Sequence, residues 1–154
     1  MGTEIERKFL LLNDGWRGLA TGKPYVQGYL ADGVACSVRV RIADGKATLN
    51  IKGATGGAVR SEFEYPLPME DARHMLATLA RKPLIEKTRY AVEYSGFCWE
   101  IDEFHGANQG LVVAEIELAR EDQAFEIPAW IGEEVTNDPR YYNANLARVP
   151  YSRW

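Results

Sequence analysis

The sequence predicts a mainly β (α+β) protein in which eight antiparallel strands form a closed or nearly closed β-barrel, with a few peripheral helices. Two observations carry this prediction. Polar and apolar residues alternate with period two along eight segments of the chain, which is typical of strands with one face against a core. Turn dipeptides such as Asp44-Gly45 and Ser95-Gly96 join neighbouring segments, which favours antiparallel pairing of consecutive strands.

The predicted strands cover residues 3–11, 25–30, 36–42, 47–53, 59–65, 84–94, 97–104 and 111–118. Residues 53–57 are rich in glycine, which predicts a flexible loop before the fifth strand. Apolar residues at helical spacing after Pro68 predict a helix over residues 68–81. Two shorter helices are predicted over residues 128–134 and 140–147.

Length and composition indicate one cytoplasmic domain over residues 1–154. Hydrophobic residues make up 46% of the chain, which is enough for a core. No apolar run approaches the roughly 18–20 residues that span a bilayer, and charges occupy residues 1–8, where a signal peptide would be apolar. Cys36 and Cys98 lack the spacing of a thiolate metal site. The net charge of −4 gives no basic footprint for nucleic acid. We therefore expect neither a nucleic-acid nor a membrane partner, and a homodimer stays open.

Like charges recur at positions i and i+2 on the polar faces of six predicted strands. The pairs are Glu4/Glu6, Arg39/Arg41, Glu62/Glu64, Lys87/Arg89, Glu100/Asp102 and Glu115/Glu117. Partners at this spacing lie roughly 7 Å apart and repel by about 0.6 kcal/mol in water, before salt screening. For a single strand, a solvated outer face is the simpler interpretation. The repetition favours blocks of carboxylate and blocks of cation that face one ligand of mixed charge.

A polyphosphate with bound Mg²⁺ or Mn²⁺ is a ligand of this kind. Hard cations bind carboxylate oxygens and water, whereas phosphate oxygens accept hydrogen bonds from Arg and Lys. The alternation alone leaves open which face of the barrel is inside. No Walker, G-x-G-x-x-G or G-x-S-x-G motif offers a different chemistry.

The charged residues follow an order that resembles the CYTH superfamily, the triphosphate tunnel metalloenzymes. The segment Glu4-Ile5-Glu6-Arg7-Lys8 resembles the E-x-E-x-K signature of that family. It is followed by Arg39-x-Arg41, Lys52-Gly53, Glu62-x-Glu64, Lys87-x-Arg89, Asp102 and Glu115-x-Glu117. Residues 130–146 are similar to the ending of the short bacterial members, so the resemblance covers nearly the whole chain.

The resemblance implies a barrel that is open at its ends, with charged side chains lining a tunnel. It also implies an enzyme that hydrolyses inorganic triphosphate to pyrophosphate and phosphate with two ions of Mg²⁺ or Mn²⁺. The residues implied to bind the phosphates are Lys8, Arg39, Arg41, Lys52, Lys87 and Arg89. The implied metal ligands, direct or through water, are Glu4, Glu6, Glu62, Asp102, Glu115 and Glu117. Lys8 and Tyr29 are the implied catalytic residues.

Other functions stay open at this point. A nucleotide cyclase, or a thiamine or nucleoside triphosphatase of the same fold, would need a pocket for its organic group at one mouth of the barrel. A non-catalytic polyphosphate-binding module would need one metal position, whereas hydrolysis is helped by two. A purely structural sheet protein is disfavoured by the repeated like-charge pairs.

Overall fold

The computed structural model of the chain describes residues 2–54 and 58–154, so the loop predicted at 53–57 falls partly outside the described residues. Its strands are β1 (Gly2–Leu11), β2 (Lys23–Asp32), β3 (Cys36–Ala43), β4 (Lys46–Gly53), β5 (Val59–Leu67), β6 (Ile85–Tyr94), β7 (Phe97–Phe104), β8 (Val112–Glu117) and β9 (Ile131–Glu134). The helices are α1 (Met69–Thr78) and α2 (Asn143–Arg148), with 3₁₀ turns at Gly106–Asn108, Pro139–Tyr141 and Tyr151–Arg153. Among the described residues, no helix combines the length and the apolar character that crossing a bilayer requires.

Strands β1 to β8 form the predicted antiparallel barrel. Their order is β5-β4-β3-β2-β6-β7-β8-β1, and pairing between β5 and β1 closes it. The two predicted tight turns are confirmed. Asp44 and Gly45 have φ of 52° and 73° between β3 and β4, and Ser95 and Gly96 have φ of 48° and 81° between β6 and β7. Positive φ at both central residues matches the twist of the flanking strands.

One edge of β1 is shared between two partners, and this corrects the sequence prediction. Residues 2–5 pair with β5, and residues 9–11 pair with β9. The helix predicted over residues 128–134 is therefore wrong. The edge of β1 beyond β5 needs hydrogen-bond partners, which a helix could not supply. Gly132 lets the two backbones approach, since a Cβ there would lie 3.2 Å from the Leu10 carbonyl oxygen.

The other two predicted helices are present with altered limits. The first is α1, which ends at Thr78 rather than at residue 81. The second is divided, because a 3₁₀ turn at Pro139–Tyr141 precedes the short helix α2.

Much of the apolar packing lies on the outside of the barrel. Phe9, Trp99 and Ile116 pack there with Trp16 and Trp130, which come from the connecting segments. Over β3 and β4, α1 covers a second apolar cluster, formed by Val40, Ala47, Ala72 and Leu76. Since successive strand residues point to opposite faces, the charged faces turn inward. This settles the question that the alternation left open.

One end of the barrel interior is filled by an apolar plug. We define this plug as Tyr29, Ile85, Phe104, Leu111 and Val113 from the barrel, with Val135, Tyr141, Leu146 and Ala147 from the C-terminal segment. The expectation of two open ends is therefore wrong for this chain. After β9 the chain returns across the end of the barrel, where its apolar side chains cover the inward-facing apolar residues.

Gly28 of β2 sets how closely α1 and the segment after it approach the barrel. A Cβ at Gly28 would lie 2.8 Å from Ala80 Cβ, 2.8 Å from Leu84 Cδ2 and 3.0 Å from Leu76 Cδ2. We expect Gly28→Ala to lower the free energy of unfolding by about 1–3 kcal/mol in urea denaturation, because it overpacks this contact. Gly33→Ala is the control, since its Cβ would meet no heavy atom closer than 3.7 Å. Equal losses in both variants would contradict this role for Gly28.

Candidate functional site

A cavity of about 630 Å³ occupies the barrel interior beside the apolar plug. Its acidic lining residues are Glu4, Glu6, Asp32, Glu62, Glu100, Glu115 and Glu117. Its basic lining residues are Lys8, Arg39, Arg41, Lys52, Arg60 and Arg89. Thus the fold brings the sequence-predicted site residues together around one space, with Lys87 and Asp102 as the exceptions.

The two signs of charge are separated around the barrel. Four neighbouring strands, β7, β8, β1 and β5, carry what we call the acidic arc, namely Glu100, Asp102, Glu115, Glu117, Glu4, Glu6 and Glu62. The basic arc comprises Lys52 of β4, Arg39 and Arg41 of β3, and Lys87 and Arg89 of β6. Lys8 and Arg60 are cations within the acidic side. A ligand in the cavity therefore meets carboxylates on one side and cations on the other.

Carboxyl groups of the acidic arc form a continuous row. Glu4 lies within hydrogen-bond reach of Glu6 and Glu62, and Glu6 within reach of Glu115. Burial, followed by the neighbouring Glu115 and Glu4, raises the pKa of Glu6 well above its ordinary value. Burial and the neighbouring Glu4 likewise raise the pKa of Glu62 to about 7. Because ionised carboxylates are acceptors only, such a row is stable only with protons or cations between its members.

Lys8 and Tyr29 lie at the floor of the cavity, beside the plug. Lys8 is 6% exposed; its Nζ donates a hydrogen bond to the Tyr141 carbonyl oxygen at 3.1 Å and lies 3.6 Å from Glu115 Oε1. Burial opposes the charge of Lys8, but nearby carboxylates, Glu115 first, outweigh it and raise the pKa of the ammonium group. Tyr29 also lines the cavity and packs in the plug. The predicted catalytic pair thus lies where the charged and apolar parts of the interior meet.

Lys87 and Asp102 lie behind the cavity wall. The Lys87 Nζ is 2.7 Å from Asp102 Oδ2, and neither side chain is exposed. Arg89, which does line the cavity, donates to both oxygens of Asp102 at 2.7 and 2.9 Å. Burial lowers the pKa of Lys87 to about 7, against the favourable charge of Asp102. The arrangement suits Asp102 to orient Arg89. The predicted direct contacts of Lys87 with phosphate and of Asp102 with metal stay predictions.

Arg39 and Arg41 are the cations of the basic arc that lack a carboxylate partner within residues 2–54 and 58–154. Arg39 is 4% exposed, and its Nε has no hydrogen-bond partner in the described chain. Arg41 donates from Nε to Gln27 Oε1 at 3.0 Å. Burial, followed by repulsion from Arg39 and Arg89, lowers the pKa of Arg41 to about 10. Cations that are buried, as Arg39 is, or partly buried, as Arg41 is, are costly without an opposite charge, so these arginines are suited to an anionic ligand.

The acidic row suits a hard divalent cation that binds together with an anion. In the part of the chain that the structure describes, no three His, Cys, Asp or Glu side chains form a complete metal site by themselves. Mg²⁺ usually takes one or two carboxylates and completes its octahedral shell with water and substrate phosphate. Glu4, Glu6, Glu62 and Glu115 offer such oxygens in the same cavity as the arginines.

The sequence prediction missed some cavity residues. Arg60 and Glu100 line the cavity, and their places on the charged faces of β5 and β7 could have identified them. Tyr25 follows the same alternation on β2 as Tyr29. Thr136 and Asn143 also line the cavity, but they come from the C-terminal segment, whose return to the barrel no local pattern indicates.

Comparison with known proteins agrees with this geometry. The family model of the CYTH domain matches residues 2–151. The inorganic triphosphatase of Acetivibrio thermocellus is 49% identical over 154 residues, which covers 100% of this chain and 99% of that protein. The inorganic triphosphatase of Nitrosomonas europaea is 37% identical over 150 residues, covering 94% and 97%. A crystal structure of an inorganic triphosphatase superposes with a TM-score of 0.68 at 35% identity, covering 93% of this chain and 96% of that one.

Arg41 forms no salt bridge among the residues that the structure describes, and this generates a prediction. We expect Arg41→Ala to raise the Kd for inorganic triphosphate by about 10–100-fold in calorimetry with chelator present, because it removes a charged hydrogen-bond donor. Thermal stability should be unchanged or slightly higher, since repulsion with Arg39 is relieved. Arg140→Ala is the control, because Arg140 pairs with Asp138 on the exposed surface. A large loss of stability with normal affinity would instead make Arg41 a structural residue.

Proposed function

The chain belongs to the CYTH domain family, and from this premise we propose that it hydrolyses inorganic triphosphate to pyrophosphate and phosphate with bound Mg²⁺ or Mn²⁺. The observation that carries the proposal is one cavity that is lined both by a row of carboxyl groups and by Arg39 and Arg41, which form no salt bridge within the described residues. The inorganic triphosphatases at 49% and 37% identity support the same activity over nearly the full chain.

The residues of the basic arc would bind a linear triphosphate along the length of its three linked phosphates. Arg39 and Arg41 would donate hydrogen bonds to phosphate oxygens. Neither guanidinium group forms a salt bridge among the described residues, so none would have to be broken when phosphate binds. Lys52 and Arg89 would bind further oxygens from the neighbouring strands, although each already contacts a carboxylate. Lys8 and Tyr29 would bind the terminal phosphate of the triphosphate that lies nearest the floor of the cavity. Lys87 and Asp102 would act from behind the wall by fixing Arg89.

Two divalent ions would be held by the acidic arc, directly or through water. The proposed ligands are Glu4, Glu6, Glu62, Glu115 and Glu117. Bound metal would offset phosphate charge and lower the pKa of an attacking water. The arginines and lysines of the chain would stabilise the charge that spreads over the phosphoryl oxygens in the transition state. No side-chain nucleophile is required in this scheme.

Metal dependence is the first test of this function. Phosphate release from inorganic triphosphate should disappear with chelator and return with Mg²⁺ or Mn²⁺. Glu6→Gln and Glu117→Gln should each lower kcat/KM by about 100-fold, a typical loss for one electrostatic group in an active site, and should remain folded. The exposed Glu121→Gln is the matched control. Full turnover in excess chelator would overturn the mechanism.

Substrate choice is the second test. We expect the largest kcat/KM for inorganic triphosphate, with pyrophosphate poorly cleaved because it is too short to engage all cations of the arc. ATP carries the phosphates but adds a nucleoside, so it should be the weaker substrate. Measurement of phosphate release across triphosphate, pyrophosphate, ATP and thiamine triphosphate decides between them. Cyclic AMP as the main product, or an ATP preference of about tenfold, would instead assign a nucleotide enzyme. Tight binding without phosphate release over hours would assign a binding module.

A further inference from the structure

Strand β2 lies at the middle of the basic arc, between β3 and β6. Asp32 at the end of the strand lines the cavity, but the inward residues of its central part are uncharged: Tyr25, Gln27 and Tyr29 alternate along the strand. Tyr25 lines the cavity and is half-buried. The predicted site and the proposed hydrolysis give this residue no role, so its place among the cations needs a physical reason.

The strand register surrounds Tyr25 with cations. Tyr25 is opposite Lys87 on β6 and opposite Ala43 on β3. Arg89 and Arg41, two residues along each partner strand, are therefore its diagonal neighbours. The ring centroid lies 5.1 Å from Arg41 Cζ, 5.1 Å from Arg89 Cζ and 5.8 Å from Lys87 Nζ. All three distances fall within the roughly 6 Å over which a ring attracts a cation.

An aromatic ring can reduce the repulsion among these cations and still leave them available to an anionic ligand, whereas a carboxylate at this position would not. The three cations around the ring, Arg41, Lys87 and Arg89, repel one another. Asp102 forms salt bridges with Lys87 and Arg89 and so offsets their positive charge, but it forms none with Arg41. An acid at position 25 would pair with Arg41 and then compete with an anionic ligand. A ring attracts the guanidinium through its face and leaves the N–H groups at the edge free to donate. Tyr25 can thus hold the cations together without neutralising them.

We propose that Tyr25 is a positioning residue for triphosphate binding, whose ring gathers Arg41, Lys87 and Arg89 into one cluster at the cavity wall. The proposal rests on the proposed function only in that inorganic triphosphate is the ligand. Without the ring, Arg41 keeps Gln27 as its hydrogen-bond partner among the described residues, and Arg89 is held by carboxylates alone. The cluster then separates, and the affinity for an extended polyanion falls.

The test varies the electron density of the ring while its size changes little. Tyr25→Phe is compared with variants that carry 4-fluoro-, 3,5-difluoro- or 3,4,5-trifluorophenylalanine at position 25, and with Tyr25→Leu. The Kd for inorganic triphosphate is measured by calorimetry with chelator present, so that no turnover occurs. We expect Tyr25→Phe to stay within about twofold of wild type, and the Kd to rise stepwise with fluorination to about tenfold. Tyr25→Leu should lose at least as much.

Controls separate this role from a packing role. Tyr65→Leu removes an exposed tyrosine of β5 and should leave the Kd unchanged. A Kd that is constant across the fluorinated series would overturn the proposal, because a packing role depends on ring size alone. A loss in Tyr25→Phe equal to that in Tyr25→Leu would also overturn it, since the hydroxyl would then be the active group.

Failure of the proposed function gives a different result. Wild-type protein that binds triphosphate but never releases phosphate with metal would contradict the hydrolysis, while the trend in Kd would still support Tyr25 as a positioning residue. Wild-type protein that does not bind triphosphate at all would overturn both.

Discussion

A closed barrel that turns its charged faces inward cannot use its whole interior as a hydrophobic core, and the rest of this fold follows from that constraint. The apolar strand faces point outward and need cover. Connecting segments supply it: Trp16 and Trp130 pack over one side, and α1 covers another. The interior itself divides into a charged cavity and an apolar plug, with the plug completed by the C-terminal segment. The connecting segments therefore supply apolar side chains to all three buried clusters of the fold.

The charges inside are largely paired, and the exceptions are the groups best suited to a ligand. Isolated buried charges cost several kcal/mol each, so most are matched at short range. Lys52 lies 2.9 Å from Glu4, and Lys87 lies 2.7 Å from Asp102. Two groups of residues are left whose charges are not matched in this way. Arg39 and Arg41 form no salt bridge in the described chain, and Glu6 and Glu62, which line the same cavity, have raised pKa values because burial and neighbouring acids disfavour their charge. Both sets of residues line the same cavity.

Local patterns predicted the parts of this structure that depend on local geometry. Period-two alternation depends only on the pleat of each strand, so it identified the eight barrel strands and the shared face of pairs such as Arg39 and Arg41. It could not identify β9, because that strand exists to complete an edge of β1 more than a hundred residues away in sequence. The resemblance, rather than the alternation, identified the charged face as the inner one.

Alternation also gives the direction of a side chain and not its depth. Lys87 and Arg89 share a face, yet one lies behind the wall and the other lines the cavity. Depth depends on strand tilt and on what fills the barrel end, and neither is encoded in a single segment. Tyr25 was missed for a related reason. An aromatic residue on an inward face is typical of packing, and only the register with β3 and β6 brings it among three cations.

The unmatched arginines and the crowded carboxyl groups also explain why the cavity suits a ligand that consists of a metal ion and a polyphosphate. A divalent cation alone would stabilise the row of Glu4, Glu6 and Glu62 but would add positive charge facing Arg39 and Arg41. A triphosphate alone would satisfy the arginines and add negative charge facing the carboxylates. Each part therefore binds more favourably when the other is present, because phosphate oxygens complete the shell of the metal while the metal screens the phosphates from the acidic row. Such coupling is reciprocal by thermodynamic necessity, so metal raises the affinity for triphosphate by the same factor by which triphosphate raises the affinity for metal. Carboxylates and cations that line one cavity are thus better suited to a metal–polyphosphate complex than to either component alone.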